Sequence, residues 1–167
     1  MKSATKNTRI SLMLKVIPNL VSNEVIDKLI ASIDMSKAKD FPHQQNIRTV
    51  SGIVYPPVHK EAKQFGKISN IEFLTYEKGS RMFPHIDKYG FDGNFNWVHT
   101  GILFMNDPAE YEGGELVFNK LNIQMKSPKG TFVLFEAGAD SQNYTHSVNM
   151  VTAGKRLSLV LRYTRGE

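Results

Sequence analysis

The chain has 167 residues, of which 41% are apolar, and its 21 lysines and arginines outnumber its 16 acidic residues by five. This length suits one soluble domain with its own core, and the lack of cysteine excludes thiol catalysis, Cys-ligated zinc, iron–sulfur clusters and disulfide scaffolds. No apolar run approaches the about 20 residues of a transmembrane helix, and no secretory signal is recognisable. We therefore expect a cytoplasmic protein with no membrane partner.

The basic excess is concentrated near the N-terminus, where four basic residues precede Glu24, the first acidic residue. We predict that residues 1–8 form a basic, flexible tail and that residues 9–167 form a single domain. The alternatives are an arm that binds nucleic acid or another acidic partner, and an acid-free transit peptide. Neither is favoured, because the basic residues are dilute and lack the interleaved aromatics of single-strand binders.

The first elements after the tail are predicted as a strand and two helices. Apolar residues alternate over 10–16, which indicates a strand. Ser22 suits a helix N-cap, and the apolar residues that follow have the spacing of one helical face: Val25, Ile26, Leu29, Ile30 and Ile33. The Pro56-Pro57 pair suits the start of a second, shorter helix over about 58–65.

From about Asn70 the pattern changes to short β-type runs separated by turn residues. The predicted strands cover 71–77, 97–106, 115–118, 121–125, 130–136, 144–151 and 156–164. Many short strands preceded by helices predict a mainly β fold with N-terminal helices, of the sandwich or jelly-roll type.

The last predicted strand has two chemically different faces. Alternation places Leu157, Leu159, Leu161 and Tyr163 on one face, and Arg156, Ser158, Val160 and Arg162 on the other. The leucine face is expected to pack under the N-terminal helix. A buried, unpaired guanidinium is costly, so the second face is expected either to lie in solvent or to bring Arg156 to an anion.

A candidate metal site begins with His85 and Asp87. In an extended backbone these residues lie about 6.6 Å apart and point to the same side, so both can bind one metal ion. His146, in a later β run, is well suited to supply the third ligand. Two histidines and one carboxylate leave half of an octahedron open, as in non-haem Fe(II) oxygenases. The other histidines are predicted to be surface or packing residues: His43, His59 and His99.

An oxygenase with open metal positions needs a co-substrate that binds through two atoms, and a group that holds the far carboxylate of that molecule. Arg156 suits this task, because the planar guanidinium fork matches a carboxylate. Ser158 adds a hydroxyl donor on the same face, and Tyr76 can supply a phenol. We predict these three residues as the co-substrate site.

Together these residues resemble the Fe(II)/2-oxoglutarate-dependent dioxygenases, and among them the prolyl 4-hydroxylase-like group. The likeness rests on Tyr76-x-x-Gly79, His85-x-Asp87, the EGGELVF segment at 112–118, the 58 residues between Asp87 and His146, Arg156-x-Ser158, and the opening segment 16–30. Met82 stands where the family often has an aromatic residue. Arg156 stands where many collagen-type members have lysine, and in this respect the chain resembles bacterial and viral members.

The resemblance implies a double-stranded β-helix (jelly roll) in which His85, Asp87 and His146 bind Fe(II) and Arg156 pairs with 2-oxoglutarate. O2 is the second co-substrate, and ascorbate is the expected reductant. The implied reaction is hydroxylation of a C–H bond with release of succinate and CO2. The favoured substrate is a prolyl residue in a peptide or protein.

Other functions remain open at this point. The same iron site could serve an oxidative demethylase of nucleic acid, which is not favoured, or a hydroxylase of a small molecule. A non-catalytic jelly-roll binding module and a zinc hydrolase are disfavoured, because neither needs a dicarboxylate anchor such as Arg156. Segment 88–97 is either a lid over the metal or an ordinary connection. A second candidate substrate wall is 41–57, with Phe41, Arg48 and Tyr55.

Overall fold

The computed structural model describes residues 14–88 and 97–165, which form twelve strands and two α-helices. The helices are α1 (Asn23–Ser32) and α2 (Pro56–Ala62). The strands are β1 (Lys15–Ile17), β2 (Lys39–Asp40), β3 (Gln45–Val50), β4 (Lys67–His85), β5 (Trp97–Phe104), β6 (Tyr111–Gly113), β7 (Leu116–Phe118), β8 (Ile123–Met125), β9 (Phe132–Glu136), β10 (His146–Val148), β11 (Val151–Gly154) and β12 (Arg156–Thr164). Within the described residues, no helix has the length and apolar character needed to cross a membrane.

The strands build a curled antiparallel sheet around the long strand β4. Ten strands are connected in it, in the order β1-β9-β5-β12-β4-β10-β7-β8, with β3 pairing to β4 and β2 to β3. The first part of β4 pairs with β12 and β3, whereas its end pairs with β10. Strand β4 therefore runs from one side of the curled sheet into the other. The predicted mainly β, jelly-roll fold with N-terminal helices is confirmed.

Helix α1 begins and packs as the sequence predicts. The Ser22 hydroxyl accepts a hydrogen bond from the Val25 N–H at 3.2 Å, which satisfies one of the free donors at the helix start. Ile26 and Leu29 are fully buried in one apolar cluster with Leu159 and Leu161 of β12. The leucine face of the last strand thus lies under the helix, as expected.

The opposite face of β12 looks into the space between the two sides of the sheet. Val160 joins a second apolar cluster there with Leu74 and Tyr76 of β4. Arg156 is only 1% exposed, so the expectation of a solvent-facing arginine is wrong and the anion alternative remains. This face of β12 therefore brings polar side chains into an otherwise apolar interior.

Some predicted boundaries differ from the observed ones. The run 71–77 is part of the 19-residue strand β4, which continues through Gly79 at a positive φ of 91°. The predicted strand 144–151 is wrong as a single element, because it divides into β10 and β11. Strands β2, β3 and β6 were not predicted. Residues 1–13, with the basic tail and the first part of the predicted strand 10–16, lie outside the described residues.

Gly101 in β5 gives a test of this packing. A Cβ at this position would overlap the ring of Phe132 on the helix-facing side of the sheet. We expect Gly101→Ala to lower the free energy of unfolding by about 1–3 kcal/mol, the usual cost of overpacking a core, as measured by urea denaturation. The same change should cost distinctly less in a Phe132→Leu background. An equal cost in both backgrounds would show that the clash is not the cause.

Candidate active site

The two histidines predicted as ligands lie side by side on neighbouring strands. His85 ends β4 and His146 begins β10, and the two are direct partners in antiparallel register with ring centroids 4.3 Å apart. Asp87 follows β4 by two residues, and its carboxylate is buried at the same point. One ligand atom from each residue lies within 4.8 Å of the others. The three residues are therefore placed so that together they could hold one metal ion.

Backbone carbonyls orient both imidazole rings. His85 Nδ1 lies 2.7 Å from the Phe83 carbonyl oxygen, and His146 Nδ1 lies 2.9 Å from that of Tyr144. With a proton on Nδ1, each ring donates to its carbonyl and keeps a lone pair on Nε2. The Nε2 atoms of His85 and His146 lie 3.2 Å and 3.7 Å from Asp87 oxygens. This arrangement leaves both Nε2 atoms directed at the point where a metal would bind.

The electrostatics favour an ionised Asp87 and a neutral His146. Burial alone would raise the pKa of Asp87, but the Arg162 guanidinium and the two histidines outweigh it and hold that pKa well below its usual range. Burial lowers the pKa of His146 to about 4, although Asp87 opposes the shift. Burial would also lower the pKa of His85, but its hydrogen bond to Asp87 raises it overall. A metal ion held by the Nε2 atom of His85 would require that atom to be unprotonated.

Sequence analysis missed two residues that contact Asp87. Arg162 Nη1 donates to Asp87 Oδ2 at 2.6 Å, and the Thr100 hydroxyl donates to the same oxygen at 2.8 Å. Alternation along β12 predicts Arg162 on the same face as Arg156, but it does not indicate which residue Arg162 contacts. A second arginine on that face was the available signal, because a buried guanidinium requires an acceptor.

A cavity of about 20 Å³ adjoins this cluster. Its lining includes His85, Asp87 and His146 and also Arg156 and Ser158. Its walls are largely apolar and include Leu74, Met82, Ile102, Leu116, Val148 and Val160. A molecule bound here would meet both polar sets within an otherwise apolar lining.

Arg156 is buried without enough acceptors. Its Nη1 donates to the Ser158 hydroxyl at 3.3 Å, while Nε and Nη2 have no hydrogen-bond partner among the described residues. The guanidinium lies 4.7 Å from the ring centroid of Tyr76 and 5.4 Å from that of Phe104. Ring faces offset part of the charge, but buried N–H groups normally have acceptors. The cavity therefore offers a strong binding position for a carboxylate.

Tyr76 is brought beside Arg156 by strand register, since the two are direct partners across β4 and β12. Its hydroxyl is buried and contacts the Met82 sulfur at 3.9 Å. Burial raises the pKa of Tyr76, with Arg156 partly opposing the shift, so the side chain is a neutral phenol that can donate a hydrogen bond. The three residues predicted as a co-substrate site thus line the same cavity.

The mouth above the histidines is lined by Phe41, Pro42, Gln44, Lys88, Trp97 and Arg162. Phe41 lines both this mouth and the inner cavity. Of the other two residues in the predicted wall, Arg48 pairs with Asp40 on the surface and Tyr55 packs against the helix-side cluster. Most of the predicted lid, 89–96, lies outside the described residues.

The remaining histidines lie outside the cluster. His99 is a register partner of Tyr163 and Glu136 in the sheet, and burial lowers its pKa. His59 lies in helix α2, and His43 lines the mouth rather than the cavity. Their positions agree with the prediction that they are surface or packing residues.

Residues 71–163 match the family model of the 2OG-Fe(II) oxygenase superfamily, a stretch that covers more than half of the chain. The chain belongs to this family. Membership implies Fe(II), 2-oxoglutarate and O2 as the groups handled by a 2OG-Fe(II) oxygenase.

Several known proteins are similar to this oxygenase chain. A PKHD-type hydroxylase from Gluconacetobacter diazotrophicus is 43% identical over 93 residues, which cover 52% of this chain and 39% of that protein. The viral collagen prolyl hydroxylase of Paramecium Bursaria Chlorella virus-1, solved with 2OG, has a TM-score of 0.75 at 17% identity over 93% of this chain and 97% of its own. A prolyl hydroxylase from Trichoplax adhaerens, in complex with a hypoxia inducible factor oxygen degradation domain peptide fragment, has a TM-score of 0.66 at 15% identity over 98% and 93%.

The two solved structures share the jelly-roll fold of this oxygenase chain. The chain spans about two fifths of the length of the first curated relatives it matches, namely 41%, 39% and 41% of three PKHD-type hydroxylases. The predicted family, a prolyl 4-hydroxylase-like Fe(II)/2-oxoglutarate oxygenase, is confirmed by the family match and these relatives.

Proposed function

We propose that this domain hydroxylates a prolyl residue of a peptide or protein, using Fe(II), O2 and 2-oxoglutarate and releasing succinate and CO2. One observation carries the proposal. The lining of a single cavity includes both the cluster of His85, Asp87 and His146 and the under-bonded guanidinium of Arg156. This pairing is what a metal enzyme with a dicarboxylate co-substrate needs.

The donor set suits Fe(II). Two imidazoles and one carboxylate from one side of the metal are the ligands of the non-haem Fe(II) oxygenases, and they leave the opposite positions open. His85, Asp87 and His146 would hold the ion, with the Phe83 and Tyr144 carbonyls fixing the two rings. Fe(II), when bound, supplies the oxidising chemistry, and the protein supplies geometry and exclusion of water.

2-Oxoglutarate has the two groups that these two sets of residues would bind. Its 2-oxo acid end would face the metal, and its distal carboxylate would reach Arg156 and accept the N–H groups that lack partners. Ser158 and Tyr76 would add hydroxyl donors beside that carboxylate. The apolar residues of the cavity lining leave little room for water, which strengthens these polar contacts.

A prolyl residue in a peptide is the proposed substrate. Phe41, Pro42 and Trp97 give the mouth flat, apolar surfaces on which a pyrrolidine ring can pack. The fixed φ of proline lowers the entropy lost when an extended peptide is ordered across the opening. Support also comes from the similar folds of a viral collagen prolyl hydroxylase and a prolyl hydroxylase solved with a peptide fragment.

Mass spectrometry of proline-containing peptides tests this proposal. After incubation with Fe(II), 2-oxoglutarate and O2, with ascorbate as the proposed reductant, we expect one oxygen to be added to proline and succinate to appear in equal amount. Asp87→Ala should abolish both products. If the peptides stay unmodified while a methylated nucleic acid or a free amino acid drives succinate release, the substrate assignment is wrong although the oxygenase assignment holds.

A further inference from the structure

The two oxygens of Asp87 have different surroundings. Oδ2 accepts hydrogen bonds from Arg162 Nη1 at 2.6 Å and from the Thr100 hydroxyl at 2.8 Å. Oδ1 lies 3.2 Å from His85 Nε2 and has no protein donor other than that histidine among the described contacts. Oδ2 therefore accepts from two donors and also lies 3.7 Å from His146 Nε2, whereas Oδ1 is contacted by His85 alone among the described residues.

Arg162 is itself held firmly in this position. It is 6% exposed, its guanidinium carbon lies 4.4 Å from the ring centroid of Trp97, and Nη1 also approaches the Thr100 hydroxyl at 3.3 Å. Thr100 and Arg162 are direct register partners on β5 and β12. Two paired strands and an aromatic ring thus fix the donors that contact Oδ2.

We propose that Arg162, together with Thr100, is a positioning residue that reserves Oδ2 of Asp87 and presents Oδ1 alone to the metal ion. A carboxylate that binds through one oxygen occupies one coordination position. If Oδ2 also reached the metal, it would compete for a position that 2-oxoglutarate or O2 requires. The inference rests on the proposed iron site, but it does not depend on which substrate is hydroxylated.

A purely electrostatic role for Arg162 and a positioning role predict opposite changes in metal affinity. A guanidinium beside a dication repels it, so an arginine acting only through charge would weaken metal binding and its removal would tighten it. A positioning role has the opposite sign, because losing the groups that orient a metal ligand typically weakens metal affinity by about 10–100-fold. The direction of the change therefore separates the two roles.

The test compares Arg162→Met, Arg162→Lys and Thr100→Val with the unaltered chain under anaerobic conditions. Fe(II) affinity is measured by competition with a chelator, and 2-oxoglutarate binding by the weak visible band of a 2-oxo acid bound to Fe(II). We expect Arg162→Met to weaken Fe(II) binding by about 10–100-fold and to lose the band even when iron is saturating. Arg162→Lys should keep the band, with intermediate Fe(II) affinity. Thr100→Val should weaken Fe(II) binding by about tenfold or less.

Arg48→Met is the matched control, because Arg48 also pairs with an aspartate, Asp40, but on the exposed edge of the sheet. It should bind Fe(II) and 2-oxoglutarate as the unaltered chain does. Folding of each variant is checked by circular dichroism, and Thr100→Val keeps the test decisive if Arg162→Met does not fold, because it leaves the ion pair intact.

Two results would overturn the inference. Folded Arg162→Met or Thr100→Val with unchanged or tighter Fe(II) binding and a normal band would show that Oδ2 needs no such restraint. Failure of the unaltered chain to bind Fe(II) would instead remove the proposed function itself, and the inference with it. The first result leaves the proposed function standing, so the two failures are distinguishable.

Discussion

Alanine at His85, Asp87 or His146 is expected to reduce succinate release to the background rate. Each residue supplies one of three ligand atoms that lie within 4.8 Å of one another. Loss of one ligand both weakens metal binding and frees a coordination position that water can occupy. The measurements are succinate formation from 2-oxoglutarate and the amount of Fe(II) retained by the anaerobically loaded protein.

His99→Ala is the control for this series. His99 is partly buried in β5, as His85 is in β4, but it lies outside the cluster and pairs in the sheet with Tyr163 and Glu136. It should retain both turnover and iron. A folded His85→Ala variant with normal turnover would refute the ligand set.

Arg156→Ala is expected to weaken apparent 2-oxoglutarate affinity by about 10–150-fold while Fe(II) binding stays intact. A charge-assisted hydrogen bond to a carboxylate is worth about 1.5–3 kcal/mol, and each 1.4 kcal/mol corresponds to about a factor of ten. The effect is assigned to Arg156 because its Nε and Nη2 lack partners in the protein among the described residues. Initial rates at varied 2-oxoglutarate, together with Fe(II) titration, measure both quantities.

Thermal unfolding supplies the control for Arg156. Adding 2-oxoglutarate with Fe(II) should raise the Tm of the unaltered chain and leave that of Arg156→Met unchanged. Without 2-oxoglutarate, Arg156→Met should be at least as stable as the unaltered chain, because it removes an under-bonded buried cation. A variant that still binds 2-oxoglutarate normally would place the anchor elsewhere.

Local patterns in the sequence predicted the parts of the site that each strand determines by itself. Alternation along 156–164 separated the leucine face from the face of Arg156, and β12 has these bounds in the structure. The two-residue spacing of His85 and Asp87 indicated a shared direction, and their ligand atoms meet. Such features depend on the period of a strand, which a sequence displays directly.

The contacts to Asp87 could not be predicted in the same way. Arg162 is 75 positions from Asp87 in the chain, and the Thr100 contact depends on which residues of β5 and β12 are paired. Pairing register is set by the assembled sheet rather than by either strand. Strand β3 was not predicted for a different, local reason. Its Asn46 adopts a positive φ, and its apolar residues alternate only briefly.

Isotopically labelled O2 tests the central claim most directly. The unaltered chain is incubated in unlabelled water with Fe(II), 2-oxoglutarate, labelled O2 and a proline-containing peptide. The masses of the products are then measured by mass spectrometry. The account predicts one labelled oxygen in hydroxyproline and one in succinate, both absent with Asp87→Ala. Product oxygen that comes from water, or peptide modification without succinate, would contradict the assignment of these residues to a 2-oxoglutarate-dependent dioxygenase.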